Sequence, residues 1–429
     1  MKFTAVGDIL CQRRMPQNYE GFDEIRSFIA QGDARFFNLE TTVNYEGECF
    51  ACQHSGGTYV RCTPEVMEDM LEYGFNACTF NNNHAMDFAH DGMIRTIEYV
   101  SNTGIVHAGV GMNLHQAAAP AYLETPNGRV ALIAVTTSFN PACMAGIQSR
   151  RIPGRPGVNG ITISRKIRLP KEEFEVAKRI GELSHINDQK NITRAEGYAP
   201  WPAEGTCEIG EMVFEQGNDY ELVLTPKKSD VKRIHDSIQE ASLQADYVMI
   251  SIHAHQASGT DKHAVPKFLE ELCRGFIDAG AHAVIGHGPH LLRPVEIYKE
   301  KPIFYSLGDF VIQLYQLPVA PEDFYNKYGM NSDSPVIELL KERSKGFTRG
   351  LMEDPRMMET VIPYWETDEN KNITKLVLMP VKANKGDGKH LEGLPQRAKN
   401  LEFMDKLAKM SKPYGVTIEK DGENYVCRW

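Results

Sequence analysis

No stretch of this 429-residue chain approaches the roughly 18 consecutive apolar residues that a membrane helix needs, so no membrane span is expected. The apolar opening from Met1 to Val6 is cut off at once by Gly7-Asp8. It is too short for the core of a signal peptide, and the cytoplasm is the expected location. Positive charge is also in short supply. Asp+Glu 57 against Lys+Arg 47 leaves a formal net charge of −10, without the basic field that dominates nucleic-acid binding, so nucleic acid is not an expected partner. The densest basic cluster, Arg150, Arg151 and Arg155, lies in a Pro/Gly-rich stretch that reads either as a solvated loop or as an anion-capturing one. An even cysteine framework is missing too, and nine cysteines suit a reducing compartment. Cys49-x-x-Cys52, with His54 and Cys62 nearby, has no second CxxC and no standard zinc spacing; free loop thiols are expected rather than structural zinc. No internal repeat of solenoid or propeller period is visible. What remains, 42% hydrophobic and 24% charged residues, is the composition of a globular protein with a large core.

Short apolar runs alternate with helix-length amphipathic segments, the pattern of an α/β protein. The runs place strands at 2–6, 34–38, 76–80, 130–136, 247–252, 282–285, 303–306 and 375–379. Helices fit at 64–73, with Pro64 in the first turn and Gly74 past the end, at 91–102 before Gly104, at 230–245, and at 265–279 before Gly280. Two segments break the alternation. Residues 154–228 open on a Pro/Gly-rich stretch, carry a charged helix of their own and read as an insertion; 317–354, charged and without apolar periodicity, reads as an irregular loop or insertion. Residues 375–429 are expected to form a C-terminal extension packing on the core of a single domain spanning 1–429. Long connections at strand ends shape clefts in α/β enzymes, so both irregular segments are expected seats of specificity.

Polar residues collect where these strands end, the place where open α/β sheets bind ligands. Asp8 follows the first strand and Glu40 the second; alone, the one also reads as a turn residue and the other as a cap or surface charge. Asn81-Asn82-Asn83-His84 follows the third. A carboxamide oxygen there can ligate a hard metal and the adjacent imidazole can reach substrate as proton donor; an Asn-rich turn is the competing reading. Asp87 is spaced either to orient His84 or to begin the next element. His253 and His255, two apart, would share one strand face, and Gly288-Pro289 forces a turn that can aim His287 and His290 at one point. Four of the 14 histidines, placed after two predicted strands, point to a divalent metal site of one or two ions. Mn, Fe or Zn suits such a mixed oxygen and nitrogen set better than Mg or Ca.

These segments, in this order, resemble a known family. Gly7-Asp8, Asn38-Leu39-Glu40, Asn82 to Asp87, His107-Ala108-Gly109, Arg155 to Asn159, Ser251 to His253, Gly286 to His290 and Pro302 to Phe310 are similar to the pattern of the bacterial capsule synthesis proteins. This is the CapA or poly-γ-glutamate synthesis family, a branch of the calcineurin-like metallophosphoesterases. The resemblance covers about residues 1–315. It implies a four-layer α/β/β/α sandwich with insertions, with Asp8, Glu40, Asn83, His253, His287 and His290 as metal ligands and His84, with Asp87, as the proton-transfer pair. Leu10 stands where the wider superfamily usually has a histidine, and Glu40 where it usually has a second Gly-Asp ligand. The expectation is therefore one ion held firmly and a second weakly, or an altered chemistry.

A divalent ion can lower the pKa of a water from 15.7 to roughly 7 and polarise the bond under attack, so hydrolysis of a phosphoester or an amide such as a γ-glutamyl bond is the leading expectation. The family name points to a small-molecule, peptidic or polyglutamate substrate, with His255, Arg61, Arg155 and Arg293 as candidate substrate contacts, the arginines through its carboxylates. The chain as written presents no anchor, which favours soluble processing over a place in an export complex. Two alternatives stay open: a proton-abstracting enzyme such as a peptide epimerase in the same pocket, kept alive by Leu10, and a non-catalytic subunit of polymer synthesis.

Overall fold

The computed structural model describes residues 1–385 and 390–429; residues 386–389, within the expected extension 375–429, lie outside the described residues. The chain divides into two compact units, Met1–Gly160 with Lys232–Trp429, and Ile161–Val231. The larger unit is mixed α/β and is built on two extended sheets. Its ten-stranded sheet runs in the order Thr417–Asp421, Asn424–Arg428, Ile373–Ala383, Glu359–Thr367, Lys2–Leu10, Ala34–Leu39, Ala77–Thr79, Val106–Ala108. Asp309–Ile312 also pairs with the first strand, and Pro395–Arg397 with Ile373–Ala383. The six-stranded sheet runs Val295–Tyr298, Lys301–Phe304, Ala283–His287, Tyr247–His253, Gly128–Thr136, Ala121–Thr125.

Side-chain alternation builds the core between these sheets. Ala34 and Phe36 from one sheet, and Leu132, Ala134, Tyr247, Met249, Ala283 and Ile285 from the other, belong to a single buried cluster. Phe37 and Leu39, the alternate residues, join a second cluster on the outer side with Phe22, Ile25 and Ile29 of the helix Phe22–Ile29, Met67 and Met70 of Val66–Glu72, and Met93 of Ala89–Asn102. The helix Lys267–Asp278, next to Ala283–His287, buries Phe268, Leu272 and Phe276.

Carried on to the strand ends, the same inward positions turn polar: Phe36 gives way to Asn38, Ala77 to Thr79, Met249 to Ser251 and His253, Ile285 to His287. Thr79 Oγ1 and Ser251 Oγ meet at 3.1 Å across the two sheets. The site therefore continues the inter-sheet core. The first strand needs an extra residue to join it. Ala5 pairs with Phe36 and Asp8 with Asn38, three residues set against two, and this bulge swaps the alternation so that Asp8 lands on the inward face. Gly7 makes room, because a Cβ there would sit inside the Gly308 carbonyl, which accepts the Asp8 N–H at 2.9 Å.

The parallel strands and the helices lie close to the expected spans, as in Val66–Glu72, Lys228–Gln244 and Lys267–Asp278. The C-terminal part differs from the expectation. Its strands begin at Glu359, and Glu359–Thr367 is the antiparallel neighbour of the N-terminal half of Lys2–Leu10, where buried Trp365 stacks on Phe3 at 5.1 Å. Residues 317–354, expected to be irregular, carry the helices Glu322–Lys327 and Val336–Arg343, whose Phe324, Tyr325 and Leu339 pack on Tyr59 and Phe88. These helices are too short for a periodic signal to stand out.

The smaller unit is a four-stranded sheet, Thr206–Ile209, Met212–Gln216, Ile163–Leu169, Glu221–Pro226, with the helices Lys171–Leu183 and Asp188–Ala195. Its core is small, formed by Phe174, Ala177, Cys207 and Phe214. Among the described residues, no helix is long and apolar enough to cross a membrane. All nine cysteines are free, and Cys49, Cys52 and Cys62 belong to no metal-ligating group among the described residues.

Candidate metal centre

Strand register assembles the centre. Asp8 is paired with Asn38 on one side and Asp309 on the other, and His253 is paired with His287 in the second sheet. Five strands thus converge, and Glu40, one residue past Ala34–Leu39, completes the set. Asp8 accepts hydrogen bonds from Asn38 Nδ2 at 2.7 Å and from the Gly288 N–H at 3.0 Å, with His287 Nδ1 3.5 Å from its Oδ1. Glu40 Oε1 lies 3.6 Å from His253 Nε2, 3.9 Å from His290 Nε2 and 4.0 Å from His84 Nε2. Asn83 Oδ1 is 2.7 Å from His253 Nε2 and 3.1 Å from His255 Nε2, and its amide is fixed by donation to the Gly56 carbonyl. His290 adopts a left-handed backbone, φ 61°, that turns its ring inward from the Gly288-Pro289 turn, and its Nδ1 meets Asp309 Oδ1 at 2.9 Å. Strain of this kind in a residue with a Cβ clusters at functional sites.

Two overlapping groups of side chains could hold a metal ion: Glu40, His253 and His255; and Asp8, Glu40, His290 and Asp309. Glu40 belongs to both. Both its carboxylate oxygens, both nitrogens of His287 and Oδ2 of Asp309 are buried without a hydrogen-bond partner. Unpaired buried carboxylates and imidazoles are costly, and a cation is the partner that their donor atoms suit. The residues present therefore fit a divalent ion.

The electrostatics agree. Burial, then the nearby Asp309 carboxylate, pushes Asp8 up to about 7 against the pull of His290 and its hydrogen bonds. Burial, then Asp8, Asp309 and Asp87, drives Glu40 well above the usual carboxylate range. Asp309 is raised by burial against the opposing pull of His290. Burial, followed by neighbouring imidazoles, holds His253 and His255 well below the usual histidine range, and burial takes His287 to about 3. His290 is the exception: burial opposes its charge, but Asp309 and Asp8 raise it. Neutral imidazoles offer lone pairs, and crowded carboxylates are relieved by positive charge; both are what a divalent ion requires.

Beside this set stands a dyad. His84 Nδ1 is 2.7 Å from Asp87 Oδ2, and Asp87 is locked by the backbone N–H groups of Gly56 and Val60, each at 2.9 Å. With Nδ1 donating to the carboxylate, Nε2 of His84 faces the cluster and is free to carry or take a proton.

The candidate substrate contacts separate. His255, expected to touch substrate, lies in the imidazole cluster, its Nε2 3.0 Å from that of His253. Its spacing from His253 was the available signal. Asp309, for which the sequence suggested no ligand role, sits in the acidic group because it pairs in register with Asp8. The repeat of Gly-Asp at 7–8 and 308–309 could have revealed it. Arg293 is buried, donates to the carbonyls of Lys262 and Gln256, and keeps Nη1 unpartnered. Arg61 is buried too, with its guanidinium 5.9 Å from the Phe88 ring centroid and 3.7 Å from Glu46. Arg155 is exposed and spends its guanidinium on the Met144 carbonyl.

Comparison with known proteins agrees with this arrangement in its extent. The family model described as bacterial capsule synthesis protein PGA_cap matches residues 2–314, the span from the first strand through Asp309. The chain is 30% identical to the uncharacterized protein y4sH of Sinorhizobium fredii (strain NBRC 101917 / NGR234), over 97% of this chain and 91% of that one. It is 42% identical to the PGA biosynthesis protein CapA of Bacillus subtilis (strain 168), over 72% of this chain and 62% of the relative. To the capsule biosynthesis protein CapA of Bacillus anthracis it is 22% identical, over 72% and 59% respectively.

Proposed function

This chain belongs to the bacterial capsule synthesis protein family, and from that premise we propose that it is a metal-dependent hydrolase of the calcineurin-like kind, acting on a phosphoester or γ-glutamyl amide bond. The two sheets sharing one core, with helices outside them, support reading the larger unit as a four-layer α/β/β/α sandwich. The observation that carries the proposal is the set of buried, unpartnered donor atoms on Glu40, His287 and Asp309 at the strand ends.

In this reading Asp8, Glu40, Asn83, His253, His255, His287, His290 and Asp309 hold one or two ions, Glu40 being shared between the groups, and the mixed donor set suits Mn, Fe or Zn. A bound ion supplies an activated water near neutral pH and polarises the oxygen of the bond under attack. The chain's own residues do the rest. Asp87 fixes the tautomer of His84 and stabilises its imidazolium, so that Nε2 gives its proton to the departing alcohol or amine. Asn38 and the Gly288 N–H hold Asp8 in place, and the apolar core beneath the cluster excludes bulk water. The names of the relatives, PGA biosynthesis and capsule biosynthesis, with the family's link to poly-γ-glutamate, support a carboxylate-bearing γ-glutamyl substrate.

The test is metal analysis of the purified protein followed by turnover of a generic phosphodiester and a γ-glutamyl peptide before and after chelation. Metal at one or two equivalents, turnover that disappears on chelation, and a His84→Asn variant that keeps its metal but loses about 10²–10⁴-fold in kcat are expected. Protein without bound transition metal that turns over neither substrate after reloading would overturn the reading. Solvent deuterium entering a Cα without bond cleavage would replace it with epimerisation.

A further inference from the structure

A cavity of about 320 Å³ lies apart from the cluster, lined in part by Leu314, Tyr315, Tyr328, Arg343, Arg349 and Met352. Two of its walls connect to the metal centre through short stretches of chain. Tyr315 lies six residues along the chain from Asp309, after a turn that starts where the Gln313 N–H donates to the Leu10 carbonyl at 2.9 Å. Arg343, on the other wall, hydrogen-bonds Thr58 Oγ1. Two residues earlier, Gly56 donates to Asp87 and accepts from Asn83 at 3.0 Å. Two residues of extended chain span at most about 7 Å, so one loop separates the cavity from the proton-transfer dyad.

The charge here is unusual for this molecule. Acidic residues outnumber basic ones by 57 to 47, yet Arg343 has no ion pair and Arg349 has no side-chain hydrogen bond or ion pair among the described residues. Arg343 lies over the Phe324 ring, 5.5 Å from its centroid, and so is held in place without being neutralised. The nearest acid on the Tyr315 side, Glu353, accepts the Tyr315 hydroxyl at 2.7 Å and is paired with Lys385 at 2.7 Å. A guanidinium pair beside aliphatic and aromatic walls matches a carboxylate on a methylene stem: the fork binds the oxygens and the walls cover the CH₂ groups.

We propose that this cavity is a second subsite of the same site, taking a carboxylate of an oligo-γ-glutamyl chain whose scissile bond lies at the strand-end cluster. The identity of the chain rests on the hydrolase reading; the preference for a carboxylate rests on the cavity. The test is calorimetric titration of the metal-loaded full chain carrying His84→Asn, which keeps its metal and loses turnover, with tri-γ-glutamate, with its carboxamide analogue and with inorganic phosphate. Arg349→Gln, at an exposed position, should weaken tri-γ-glutamate about tenfold without changing affinity for the carboxamide analogue, and Arg343→Lys should weaken it as well, because an ammonium cannot fork. Bound metal, measured alongside, reports correct folding. No binding of tri-γ-glutamate to the His84→Asn protein, unchanged affinity in both arginine variants, or a phosphate affinity that falls in both as far as that for tri-γ-glutamate would each overturn the subsite. Because affinity is read without turnover, failure of the hydrolase reading would leave the arginine-dependent affinity intact, and failure of the subsite would leave metal-dependent turnover intact.

Discussion

In the smaller unit Glu215 meets Lys166 and Arg168, each at 3.0 Å, and Arg168 also reaches Glu221 at 2.6 Å; all four side chains are at least a quarter exposed. In the larger unit Asp8, Glu40 and Asp309 are wholly buried and close together, and neither oxygen of Glu40 has a hydrogen-bond partner. The first arrangement pairs opposite charges in water, where desolvation is slight and so is the gain. The second confines like charges in a dry interior, where the cost grows with each added carboxylate. A fold that pairs its charges so freely in one region and leaves both oxygens of Glu40 unpartnered in another carries in the second a cost that stability alone does not explain. The difference between the two marks the strand-end cluster as the candidate site.

The largest effect expected from this contrast is that of metal. Chelated protein reloaded with Mn²⁺ or Zn²⁺ at about a thousand times Kd should gain roughly 4 kcal/mol of stability, read as a rise in thermal midpoint, and Asp8→Ala should abolish the gain. A midpoint that ignores added metal would break the comparison, because the buried acids would then be stable by themselves.

The next effect has the opposite sign to ordinary acid denaturation. Asp8 titrates at about 7 in the folded protein against an ordinary 3.8, so within that window the native state keeps a proton that the unfolded state has released. Stability present below the lower value is lost as pH rises towards the upper one. The contribution of Asp8, read as the stability of metal-free protein less that of its Asp8→Asn variant, should therefore fall by roughly 3 kcal/mol between about pH 4.5 and about pH 6.5, while the depressed imidazoles of His253, His255 and His287 stabilise both proteins as pH rises through the same window. The proton belongs to the crowded group of Asp8, Glu40 and Asp309 rather than to one of them. A difference that grows over the same window would show that Asp8 does not keep its proton in the folded cluster.

Much of this centre was legible in the sequence because parallel strands end abruptly in polar residues: Asn38 after Phe36, His253 after Met249 and Ser251, and His287 after Ile285 keep the inward alternation that the apolar residues begin. What was not legible depends on pairing. Asp309 becomes a neighbour of Asp8 only through the register of two strands some three hundred residues apart, and the bulge that turns Asp8 inward leaves no mark except Gly7. His255 lies beyond the end of Tyr247–His253, so strand periodicity could pair it with His253 but not say which ligand both would face. Glu359–Thr367 lacked a helix-crossover setting, and its place beside the first strand is decided by Trp365 stacking on Phe3.

The smallest effect belongs to the smaller unit and sets the baseline for the other two. Glu215→Gln removes the shared acceptor of Lys166 and Arg168, but both cations keep access to water and Arg168 keeps Glu221. The cost should be about 0.5–1 kcal/mol in chemical denaturation, and most of it should vanish in about 1 M salt, where charges are screened within roughly 3 Å. Metal affinity should not change. A loss of several kcal/mol that persists in high salt would mean that this network is buried in effect if not in area, and the contrast with the strand-end cluster would then be one of degree. A small, salt-sensitive loss keeps the contrast one of kind: charge that stabilises a surface in one unit, and buried acids with donor atoms that suit a cation in the other.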